Sequence, residues 1–145
     1  LTYQSWYNNP PLAEACDFIM YHSHPFWDGR NAGTAALAVV QSWVDMSSAY
    51  PGKELFIGET GWPTEGDNYQ GAEPREDYQE YFIDQLIAEG ETQAASSGVP
   101  FRFILFEAFD EAWKTDELVG VGGHWGLFYS DRTPKLAVSK FLPSK

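Results

Sequence analysis

The chain has 145 residues, a formal net charge of −12, 17% aromatic residues and one cysteine, Cys16. Such a charge repels a phosphate backbone, which excludes nucleic acid as a partner, and a single cysteine excludes an internal disulfide framework. The longest apolar runs are strand-sized and interrupted by charge, so none is expected to span a membrane, while a chain of this length can bury roughly 70% of its unfolded surface in one core.

In chain order, residues 1–6 are expected to form the tail of a strand and residues 12–16 a short helix. Asp17-Phe18-Ile19-Met20-Tyr21-His22 is a short apolar run with polar ends, which predicts a buried parallel strand. It breaks into Ser23-His24-Pro25-Phe26-Trp27-Asp28-Gly29, where proline and glycine stop regular structure. Ala36, Val39, Val40, Trp43 and Val44 recur at helical spacing, and Pro51-Gly52 ends that helix. Leu55-Phe56-Ile57-Gly58 reads as a second buried strand, followed by a long polar loop over 59–71. Pro74 fits the first turn of another helix, with Tyr78, Phe82, Ile83, Leu86 and Ile87 on its apolar face and Gly98-Val99-Pro100 at its exit. A third strand over 101–106, a loop over 107–125 and a closing helix over 135–141 complete the pattern.

Strands alternating with helices imply right-handed parallel βαβ units. No glycine-rich phosphate loop follows a strand, which disfavours an open nucleotide-binding sheet. Each strand instead empties into a loop rich in aromatics and carboxylates, as β/α barrels do at their chemical end. Eight units usually take about 250 residues. The expectation is therefore an α/β fold, a single domain over 1–145 forming the (β/α)4 half of a TIM-type (β/α)8 barrel.

Glu59 stands where a buried strand meets its loop, framed by two glycines, a tryptophan and a proline. Two readings are open: a rigidly held carboxylate for nucleophilic glycoside cleavage, or a strand-end acid that caps a helix or pairs with a lysine. The end of the third strand, Phe106-Glu107-Ala108-Phe109-Asp110-Glu111-Ala112-Trp113-Lys114, adds three carboxylates, two aromatics and a lysine. Like charges so close displace one another's titration unless a cation compensates, and Lys114 can be that cation. Many aromatics beside carboxylates suit carbohydrate, whose rings stack on aromatic faces while their hydroxyls need fixed polar partners.

The strings Gly58-Glu59-Thr60-Gly61-Trp62-Pro63, Phe106-Glu107-Ala108-Phe109-Asp110-Glu111-Ala112-Trp113-Lys114 and His124-Trp125-Gly126-Leu127-Phe128 resemble those of glycoside hydrolase family 17, in the same order and spacing. The family comprises β-1,3-glucanases and β-1,3-glucanosyltransferases on a (β/α)8 barrel. By that resemblance Glu59 is the nucleophile, Glu111 and Lys114 support it, and Phe26, Trp27, Trp62, Trp113 and Trp125 line a glucan cleft. The candidate catalytic residues are Glu59, Glu107, Glu111 and Lys114. The candidate substrate contacts are His22, His24, Phe26, Trp27, Trp62, Asp110, Trp113 and Trp125.

One departure from the family stands out. Its general acid/base is a glutamate in an Asn-Glu pair ending the fourth strand, and no Asn-Glu pair occurs here. Three accounts are open: a truncated or cleaved chain, a half-barrel that self-associates, or a binding remnant that holds glucan without turnover. In a homodimer, Glu107 or Glu111 of one chain would face Glu59 of the other as acid/base. His22 and His24 stand at alternate positions, but no third ligand has motif spacing, so no metal and no cofactor is expected. The first residues lack the basic start of a leader, which leaves a cytosolic chain or one whose leader has been removed; the resemblance favours an extracellular or periplasmic place.

Overall fold

A computed structural model describes residues 1–114 and 117–142. Three strands, β1 (Phe18–His22), β2 (Glu54–Thr60) and β3 (Phe103–Leu105), form a parallel sheet in that order. The helices are α1 (Tyr3–Tyr7), α2 (Pro10–Ala15), α3 (Ala32–Ala49), α4 (Glu76–Ser97) and α5 (Leu136–Ser139). The parallel α/β class expected from the alternation is present.

Alternation in the strands separates the two faces of the sheet. Ile19 and Tyr21 of β1 and Leu55 and Ile57 of β2 are buried against the helices. The apolar stripe of α3, built from Ala35, Ala36, Val39, Trp43 and Met46, packs there together with Phe82, Ile83 and Leu86 of α4. Gly90 brings α4 against Phe101, because a Cβ at that position would lie 2.5 Å from the Phe101 ring. Gly98, at φ 69°, ends α4 in the left-handed conformation that glycine adopts without a steric penalty. The opposite face carries Phe18, Met20 and Ile104, 47%, 39% and 56% exposed, and is bare.

The structure corrects several expected boundaries. Residues 1–6 are not a strand. Only Leu1 and Thr2 pair with the edge of β1, through the amide of His22 donating to the Leu1 carbonyl, and the chain turns into α1 at Tyr3. Of four expected units, three have strands among the described residues. Pro74 lies outside α4, whose first residue is Glu76, because Arg75 is extended and stands at its N-cap position. The third strand spans only Phe103–Leu105 and the closing helix only Leu136–Ser139. Beyond β3 the chain pairs irregularly: the amides of Leu127 and Phe128 donate to the carbonyls of Glu107 and Ala108, and that of Asp110 to Phe128. This brings residues 125–128 alongside the loop that follows β3; within that loop, residues 115–116 lie outside the described residues.

Candidate active site

Strict alternation from Leu55 and Ile57 would bury Glu59 beneath the helices. The register shows why it does not. Tyr21 faces Ile57 and His22 faces Glu59, while Ile57 and Thr60 face Phe103 and Leu105, so β2 holds one extra residue beside each neighbour. This bulge places Gly58 and Glu59 on the same bare face and returns Thr60 to the core, the re-aiming that bulges perform near functional sites. Gly58 leaves room for the Met20 side chain, since a Cβ there would lie 2.7 Å from Met20 Cγ and that side chain would have to shift. Sequence reasoning missed the bulge; its signal is a glycine that ends an apolar strand run directly before a carboxylate.

Two histidines reach the exposed carboxylate of Glu59. His22 Nδ1 lies 3.1 Å and His24 Nε2 3.3 Å from the same oxygen, Oε2. His22 ends β1, and His24 follows on a loop anchored by the Ser23 amide donating to the Glu59 carbonyl. Burial pushes His24 below the ordinary histidine value, against the pull of Glu59. A cleft of about 150 Å³ opens beside this group, walled by Tyr3, Trp27 and Asp28 among others. A larger hollow of about 380 Å³ lies where α3 and α4 begin, but it contains neither Glu59 nor Glu107, and we locate the site by its chemistry.

At the end of β3, Glu107 Oε2 accepts from Lys114 Nζ at 2.8 Å, and Lys114 also bonds Glu111. Burial pushes the Glu107 carboxyl up, reinforced by Glu111 and opposed by Lys114. The Lys114 ammonium holds Glu111 below the usual carboxylate range. Burial alone would lower Lys114, but the two carboxylates together raise it. The ammonium also lies 4.8 Å from the Phe106 ring centre and 5.5 Å from that of Trp113.

The aromatic candidates separate by exposure. Phe26 and Trp62 are 0% exposed and Trp125 is 1% exposed. Trp62 donates from Nε1 to the Glu73 carbonyl, and the rings of Phe26, Trp27, Trp62 and Trp125 pack on one another at 5.1 to 6.0 Å. A ring without an exposed face cannot stack on a sugar, so Phe26, Trp62 and Trp125 form the floor of the site rather than its contact surface. Trp27 is half-buried at the cleft, and Trp113 is 73% exposed.

Asp110 is also turned inward. It accepts from buried Lys135 at 2.7 Å and from the Gly126 amide, while Lys135 donates to Thr64 as well. Asp110 therefore ties three loops together. Sequence reasoning missed Lys135, because nothing local distinguishes it from a surface lysine.

Residues 1–126 match the BtgE/BtgC glycoside hydrolase domain. A glucan 1,3-β-glucosidase of Saccharomyces cerevisiae is 33% identical over 142 residues, covering 90% of this chain and 42% of the relative. An active-site mutant of a Rhizomucor miehei β-1,3-glucanosyltransferase, solved with laminaritriose, superposes with a TM-score of 0.73 at 25% identity, covering 87% of this chain and 44% of that one. An endo-laminarinase from Formosa superposes at 0.74 with 25% identity, covering 97% and 44%. The chain thus spans about two fifths of the length of the curated relative it matches.

Proposed function

The chain belongs to the BtgE/BtgC glycoside hydrolase domain family, and from that premise we propose that it carries the nucleophile of a retaining glycosidase or transglycosylase acting on β-1,3-linked glucan. The observation that carries this reading is the Glu59 carboxylate, aimed onto the open face by the bulge in β2 and approached by two histidines at one oxygen. The named activity of the yeast glucosidase and the laminaritriose bound to the glucanosyltransferase support β-1,3-glucan as substrate. Of the candidate aromatics, Trp27 and Trp113 have surface available for stacking.

Retention needs a second carboxyl about 5 to 5.5 Å from the nucleophile to protonate the leaving oxygen. We assign this role to a carboxyl outside the chain, or to Glu107 of a second copy in a homodimer. Glu107 suits an acid, because burial and Glu111 raise its carboxyl above the ordinary value against the pull of Lys114. We infer a place outside the cytoplasm, where a polysaccharide too large to cross a membrane would be met.

A β-laminaribiosyl fluoride with fluorine also at C2 tests the nucleophile separately from the acid. The C1–F bond breaks as a Glu59 oxygen bonds to C1, and fluoride departs without needing a proton. The electron-poor C2 slows hydrolysis of the resulting ester enough for it to be weighed. Peptide mapping should find the added mass on Glu59. Mass on another carboxylate, or an unmodified chain where a full-length relative is labelled, overturns the reading.

A further inference from the structure

The two nitrogens of His24 have very different surroundings. Nε2 bonds Glu59 Oε2 at 3.3 Å, whereas Nδ1 is buried without a partner among the described residues. The ring sits between Phe106 and Trp125, at 5.5 and 5.3 Å and nearly perpendicular to both. A carboxylate offers acceptors only, so the hydrogen of a neutral imidazole lies on Nε2. A second proton on Nδ1 would create a buried donor with nothing to bond, and a charge enclosed by aromatic rings. The charged and titratable groups facing His24 are Glu59, His22 and Asp28; burial lowers it, and of these three only His22 acts in the same direction.

We propose that His24 is a positioning residue, held as the neutral Nε2–H tautomer, which with His22 captures Oε2 of Glu59 and leaves Oε1 as the attacking oxygen. The proposal rests on the assignment of Glu59 as nucleophile. A neutral donor is the appropriate one for this task. It prevents the carboxylate from rotating, while an imidazolium would stabilise the resting anion and so weaken its attack.

The tautomer is readable without any sugar. In the full chain labelled with 15N-histidine, long-range 1H–15N spectra should show one ring with bare Nδ1 and protonated Nε2, assigned by its loss in His24→Gln. That pattern should persist below the ordinary histidine value of about 6.5. A hydrogen on Nδ1 at neutral pH, in either the other tautomer or the imidazolium, overturns the proposal. The rate at which the fluorinated laminaribiosyl fluoride labels Glu59 is the second readout. His24→Leu should slow labelling roughly a hundredfold by loosening the carboxylate. His24→Gln, whose amide can donate from the same place, should recover much of that loss. A leucine variant labelled at the parent rate, or a glutamine variant no faster than leucine, also overturns it. If the parent chain is not labelled at all, the nucleophile assignment fails by itself, and the spectra still decide the tautomer.

Discussion

Glu59 and Glu107 stand at the ends of adjacent strands, in one chain and within one aromatic setting, yet their carboxyls are controlled by different means. Imidazole nitrogens approach Glu59, which is 36% exposed at its side chain. Glu107 is 16% exposed and shares an ammonium with Glu111. A neutral donor directs a carboxylate without changing its charge. Around Lys114 the two carboxyls part instead: burial and Glu111 raise Glu107 against the pull of the lysine, while the lysine lowers the exposed Glu111. The contrast suits a nucleophile at one strand end and a proton-handling cluster at the next.

The largest expected effect divides the two. Glu59→Gln should lower labelling by the fluorinated donor more than about a thousandfold, whereas Glu107→Gln should leave it within a few fold, because fluoride needs no acid. Equal losses would break the division of roles.

Asp110 provides a control, a carboxylate of the same loop with no expected part in chemistry. Lys135→Met leaves it buried without its cation and should cost about 3 to 5 kcal/mol of stability by denaturant unfolding. Labelling per folded molecule should not change. Selective loss of labelling would make Asp110 part of the site after all.

Smaller effects belong to the aromatics. Trp27→Ala and Trp113→Ala should each weaken binding of soluble β-1,3-glucan by about 1 to 2 kcal/mol, read by fluorescence titration. Trp62→Ala should instead reduce stability, as befits a ring with no exposed face.

The smallest effect is a pH dependence with opposite signs at two neighbours. The raised Glu107 contributes stability that is present below the unfolded glutamate value of about 4.3 and lost as pH rises through its folded value. The lowered Glu111 contributes stability present above that value and lost as pH falls through its folded value. Thermal melts across this acidic range should therefore tilt toward greater stability at low pH in Glu111→Gln and toward greater stability at high pH in Glu107→Gln. Tilts in the same direction would refute the split.

Much of this arrangement was legible in the sequence, and the gaps have physical causes. Short apolar runs bounded by polar residues gave β1 and β2, and helical spacing gave α3 and α4, because each element buries apolar side chains in the core. The start of α1 was misread because Leu1 to Trp6 is rich in residues favoured in strands, and pairing extends no further than Thr2. Glu59 was placed at its strand end, but not the bulge that aims it, since register exists only between strands. Trp62 and Trp113 are alike as residue types; only packing shows that one is floor and the other surface. The inward pairing of Asp110 was not legible because its partner, Lys135, lies 25 positions away.

The extra residue in β2 makes the orientation of Glu59 a matter of parity. A strand that kept all seven residues of Glu54–Thr60 but lost its bulge would send the carboxylate into hydrocarbon beneath the helices and bring Thr60 out in its place. A strand one residue shorter, lacking Gly58, would leave both side chains on their present sides. Between Ile57 and Thr60, then, the added residue and the bulge must come or go together for Glu59 to keep its side.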